Sequence, residues 1–119
     1  MMNAKYSLIL LILFLTACVN EVDFKVTNAS GNTIDSLVVG NGFSSFAFFK
    51  MLDGDIKVRS LNFNRTQAEL STDGNYFIKY FSGEKLRLEY FGYYSNGIPI
   101  NSGFEIVIKK DTVEIVEIR

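Results

Sequence analysis

Turn signals cut the chain beyond residue 18 into pieces too short for anything but strands. Glycines stand at 31, 42, 54, 74, 83, 97 and 103, each directly preceded by Asn, Asp or Ser. Such pairs favour turns because glycine accepts a left-handed backbone and short polar side chains bond their own backbone. The segments between them alternate with period two, and no helical period occurs after residue 18. The pattern predicts an all-β fold, an antiparallel β-sandwich of about seven to nine short strands, with a small β-barrel as the alternative.

Val22, Phe24 and Val26 alternate with Asp23, Lys25 and Thr27, the mark of a half-buried strand. Strands are also expected over 33–39, 75–81 and 85–94. Asn41-Gly42 favours a hairpin if its flanks pair directly. The run 43–49 is too short and bulky for an amphipathic helix and fits a strand buried on both faces or lying under a loop. Ile56 and Val58 alternate with Lys57 and Arg59, and a short edge strand is expected over 67–70. In the longest segment Leu86, Leu88 and Tyr90 oppose Arg87 and Glu89, with Gly92 marking a bulge or a close approach. Phe104, Ile106 and Ile108 share a face. Over 112–118 the apolar set shifts from Val113 and Ile115 to Val116 and Ile118, which points to a bulge or to burial on both sides.

Residues 1–17 read differently. Lys5 is their only charge, and 8–15 is an unbroken apolar run. A bilayer-spanning helix needs about 20 apolar residues, whereas the h-region of an export signal needs about 7–15. The run ends in Leu15-Thr16-Ala17-Cys18, which holds the only cysteine of the chain. This resembles the lipobox of bacterial lipoproteins. The resemblance implies that the Cys18 thiol takes a diacylglycerol through a thioether and that the chain is cut between Ala17 and Cys18. The new amino group is then acylated. Two or more acyl chains anchor a protein stably where one is marginal. Val19 stands where an aspartate would signal inner-membrane retention, so the resemblance implies the outer membrane, and Glu21 and Asp23 are similar to the acidic tethers of some surface-exposed lipoproteins. The expected organisation is a signal peptide at 1–17, a lipidated cysteine and tether at 18–23, and one β-domain at 24–119.

Removing the leader leaves 102 of the 119 residues, with 11 basic and 13 acidic side chains. That is one domain, its charge disfavours nucleic acid as a partner, and no disulfide can form. The remaining 10 phenylalanines and 5 tyrosines, with no tryptophan and no histidine, suit strands. Without histidine or a free thiol, Ser-His-Asp and Cys-His mechanisms and the usual zinc sites have no residues to build them. No glycine-rich phosphate loop occurs, and no cofactor or metal is expected. Glu69, Glu84, Glu89 and Glu105 fall on turns or solvent faces, although a fold could still bring two together for glycosidase-type chemistry. Asp53-Gly54-Asp55 and Asp73-Gly74-Asn75 lack the rest of a calcium loop.

Two patterns remain. Asp35-Ser36-Leu37 and Asp111-Thr112-Val113 are similar to the O-glycan acceptor motif of some exported Gram-negative proteins, making Ser36 and Thr112 candidate acceptors; both also fit entry into a strand from a turn. Tyr90-Phe91-Gly92-Tyr93-Tyr94 offers Phe91, Tyr93 and Tyr94 as a candidate interaction face, against their use as core. The mature chain is similar in general type to small lipid-anchored envelope β-sandwiches. The expected role is a non-enzymatic binding or assembly module, held to the membrane by its lipid. It would meet a protein partner through that face or by strand addition to an open edge. Alternatives are a glycan-binding accessory lipoprotein and an inhibitor of an envelope hydrolase using a loop at 62–66.

Overall fold

The computed structural model describes residues 21–63, 73–95 and 97–119. They form nine strands: β1 (Glu21–Asn28), β2 (Ile34–Gly40), β3 (Ser45–Met51), β4 (Ile56–Asn62), β5 (Gly74–Ser82), β6 (Lys85–Ser95), β7 (Ile98–Pro99), β8 (Gly103–Ile108) and β9 (Val113–Ile118). The fold is all-β. A four-stranded sheet of order β4-β1-β8-β9 faces a five-stranded sheet of order β3-β2-β5-β6-β7. One pairing departs from the antiparallel rule: β1 runs parallel to β8, from Asp23 beside Gly103 to Asn28 beside Ile108. The strand expected over 67–70 lies outside the described residues.

The tether expected at 18–23 is shorter than its sequence suggested. Glu21 to Asp23 already belong to β1, and Val22 is fully buried. The alternation of β1 and β8 holds, with Val22, Phe24, Val26, Phe104, Ile106 and Ile108 all in the core. Phe24 is the hub. Its ring stacks on Phe104 at 5.5 Å and meets Tyr76 at 5.6 Å and Phe46 at 5.7 Å. Each such pair adds roughly 0.5–1.5 kcal/mol beyond burial.

The outer strands depart from expectation. Residues 43–49 do not form a strand buried on both faces; β3 is an edge, and Phe49 lies in solvent. In β4, Val22 pairs with Leu61, Phe24 with Arg59 and Val26 with Lys57, so Lys57 and Arg59 share the core side while Ile56 and Val58 face out. The Arg59 guanidinium lies 5.7 Å from the centre of the Phe46 ring. In β9 neither a bulge nor two-sided burial occurs. Its register with β8 is regular, Val113 and Ile115 pack on the core, and Val116 and Ile118 are exposed on the outer face. β3 carries its own irregularity at Lys50, whose φ of 54° is left-handed. Charges on the inner side of edge strands oppose further pairing; β4 (Lys57, Arg59) and β9 (Glu117) have them, as does the part of β6 that β7 leaves uncovered (Arg87, Glu89).

Three buried polar atoms are without a partner among the described residues: Asn41 Nδ2, Asn101 Nδ2 and the Tyr76 hydroxyl. The Tyr76 ring is fully buried, and its hydroxyl meets no partner among the described residues. Burial, and secondarily the neighbouring Tyr94, push its pKa well up, so the phenol stays neutral. Removing an unsatisfied buried hydroxyl leaves the packing and deletes its desolvation cost. Tyr76→Phe is therefore expected to hold or raise stability by about 1 kcal/mol in urea unfolding; a clear loss would reveal a partner for the hydroxyl.

Candidate functional site

The aromatic segment of β6 is organised by a bulge. Tyr76 pairs with Phe91, yet Gly74 pairs with Tyr94, so β6 holds one residue more than β5 between them. Gly92 adopts φ 65° there, and its carbonyl accepts a 2.5 Å bond from Asn75 Nδ2. The extra residue changes the phase of the strand. Phe91 and Tyr94 both turn inward: Phe91 stacks on Tyr76 at 5.7 Å, and the buried Tyr94 hydroxyl donates to the Asn41 carbonyl. Of the three residues expected to form an interaction face, only Tyr93 remains exposed. Phe91 and Tyr94 are core, because the bulge puts them three residues apart on the inner side.

The same register sends the opposite set outward. Tyr90 pairs with Phe77, Leu88 with Lys79 and Leu86 with Phe81. Across β5, Gly40 adjoins Phe77, Val38 adjoins Lys79 and Ser36 adjoins Phe81; beyond them Ala47 and Phe49 of β3 complete the rows. Phe49 is 76% exposed, Tyr90 70%, Leu86 55% and Leu88 46%. With each ring credited with roughly 200 Å², the face leaves on the order of 500 Å² of apolar surface in water. The largest patch on an ordinary monomer is about 300–600 Å² and is often functional. Lys79 is the one charge in these rows and forms no ion pair among the described residues.

A cleft of about 950 Å³ opens at one end of the sandwich, between the β1–β2, β5–β6 and β8–β9 turns. Ile34, Tyr80 and Ile108 lie at its base. Three of its charged side chains, Asp35, Arg87 and Lys109, are held by neighbours. Arg87 Nε contacts Glu89 Oε1 at 3.0 Å and Arg87 Nη1 donates to the Asp111 carbonyl at 3.0 Å. Asp35 Oδ2 accepts from the Gly83 amide at 3.0 Å, and Lys109 pairs with Glu114 at 2.8 Å. Burial raises the Tyr80 pKa, partly offset by Arg87.

The candidate acids do not converge. Glu89 is held by Arg87, Glu105 sits 3.9 Å from Lys25 on the other sheet, and Glu84 lies at the β5–β6 turn. Glu69 lies outside the described residues. Asp53 and Asp55 serve turns, accepting from the Gly31 and Leu52 amides at 2.8 Å. Among the described residues no group of three acidic or sulfur ligands could hold a metal. Ser36 sits half-buried inside the central strand β2, whereas Thr112 is exposed beside β9. Cys18 and residues 64–66 lie outside the described residues. The sequence signal for the exposed face was the Leu86, Leu88, Tyr90 alternation, but only the pairing with β5 says which way it points.

The site thus belongs to a β-sandwich that keeps an apolar sheet face in water. No protein-family model matches the chain, and no curated protein matches its sequence.

Proposed function

We propose that the protein is a lipid-anchored, non-enzymatic binding domain of the outer membrane, which docks a protein partner on the outer face of its five-stranded sheet. The observation that carries this reading is the exposure of Phe49, Phe81, Leu86, Leu88 and Tyr90 together on one face. Lys79 at its centre matches a partner with an apolar surface around one carboxylate. The motif Leu15-Thr16-Ala17-Cys18 supports the anchor. The inward charges of β4, β6 and β9 oppose strand addition along those strands, whereas the β3 edge has Phe46 and Phe48 at its inward paired positions. A glycan platform is less well served, since Tyr90 is the one well-exposed tyrosine in these rows and the amide next along β5, Asn75, spends its Nδ2 on the Gly92 carbonyl.

A photo-crosslinking residue at Leu88 in the full chain, irradiated in the native host, tests this. One discrete protein adduct is expected, lost on Lys79→Glu, and none from the same residue at Val58 of the other sheet. Adducts at both positions, at neither, or an adduct that survives the charge reversal would sink the proposal. Intact mass of wild type against Cys18→Ser tests the anchor separately: a lipid-sized gain is expected on the wild type alone.

A further inference from the structure

The end of the sandwich where β1 begins has a character of its own. Ser102 ties the first and last strands together there: its carbonyl accepts from the Asp23 amide at 3.1 Å, and its own amide donates to the Ile118 carbonyl at 2.9 Å. Around this knot stand three branched aliphatic side chains with no place in the core. Ile98 on β7 is 59% exposed, Ile100 before the knot 53%, and Ile118 closing β9 45%. Tyr93 is also exposed toward this end of β6. At the opposite end lysines and acids line the cleft, and the exposed aliphatics there, Leu52 and Ile56, flank the β3–β4 turn.

We propose that this rim is a membrane-contact surface, seated on the lipid headgroup and upper acyl region beside the anchor. The inference rests on lipidation of Cys18. Its physical basis is the length of chain between that residue and the fold. β1 begins at Glu21, so Cys18 is three residue steps away, at most about 11 Å when fully extended. A lipid on Cys18 therefore holds this end of the sandwich within about a nanometre of the bilayer. Aliphatic side chains held there enter the interface, and tyrosine suits the headgroup level. Each such contact is intramolecular with respect to the anchor, so a rim too weak to bind alone engages at high effective concentration. The strands then stand off the membrane. With about 3.3 Å per residue along the eight residues of β1, the cleft opens some 25 Å further out. The outer face of the five-stranded sheet is presented sideways.

The test uses the full lipidated chain reconstituted in vesicles of phosphatidylethanolamine and phosphatidylglycerol. The protein has no tryptophan, so a single one reports its own surroundings. Ile100→Trp is compared with Ile56→Trp, at the far end of β4; Ile98→Trp serves if the first variant fails to fold. On reconstitution the rim tryptophan is expected to shift its emission to the blue and to lose most of it to lipids brominated near the headgroup. The Ile56→Trp probe stays unchanged. Co-flotation with the vesicles and an unmoved rim probe would overturn the seating alone. Absence of both the lipid mass and flotation would overturn the anchor and the seating together.

Discussion

Replacing Gly92 with alanine is expected to lower the stability of the domain by about 3 kcal/mol. Two costs combine. Gly92 holds φ 65°, where an L side chain costs roughly 1–2 kcal/mol. A Cβ there would also lie 2.8 Å from Phe104 Cζ and 2.8 Å from Tyr76 Cδ2, in the most crowded part of the ring cluster. Neither ring can retreat: Phe104 stacks on Phe24, and Tyr76 lies 4.9 Å from Phe104. Overpacking of this kind costs about 1–3 kcal/mol. Gly83→Ala provides the control. Gly83 has a similar φ of 63° with nothing within 4 Å of the added atom, so it should show the backbone cost alone. Urea unfolding of the two variants should differ by about 2 kcal/mol, the packing share. Equal losses would mean that the ring cluster yields.

The second large effect is expected at Asn28. Its side chain is fully buried at the cleft end and uses both of its atoms twice. Nδ2 donates to the Asn32 carbonyl at 2.8 Å and to the Met51 carbonyl at 2.9 Å. Oδ1 accepts from the Ser30 amide at 3.1 Å and the Ser30 hydroxyl at 2.7 Å. The bond to Met51 joins the end of β1 to the end of β3 and so ties one sheet to the other. Truncation strands several of these groups, each at about 1–3 kcal/mol. Asn28→Ala should cost about 3–4 kcal/mol in urea unfolding. Asn28→Asp keeps the shape but cannot donate while ionised. Burial raises the carboxyl pKa above its unfolded value, so this variant should gain stability as pH falls and lose it as pH rises through the folded pKa. A flat pH response would show that solvent reaches the site.

These two residues illustrate what could be read from the chain. β1 and β8 were legible because both lie inside a sheet with one face against the core. There Phe24 and Phe104 had a single side to choose. The bulge at Gly92 was legible as a glycine in a strand. Its effect on Phe91 and Tyr94 was not, because a one-residue phase change depends on where β5 pairs. The outer strands were the least legible. Leu86, Leu88 and Tyr90 alternate with Arg87 and Glu89 whichever side is in, and along the part of β6 that β7 leaves uncovered both sides reach water. The candidate site lies in those strands, so the sequence marked its residues without giving their direction.

The parallel pairing of β1 with β8 also governs the order of folding. Phe24 cannot find Phe104 until almost the whole chain is present, and loops of that span close slowly. β2 with β3 and β5 with β6 are local hairpins that form without waiting. A nascent chain would therefore hold transient hairpins while its four-stranded sheet stays open. That delay makes arrival of the last strands the event that closes the sandwich.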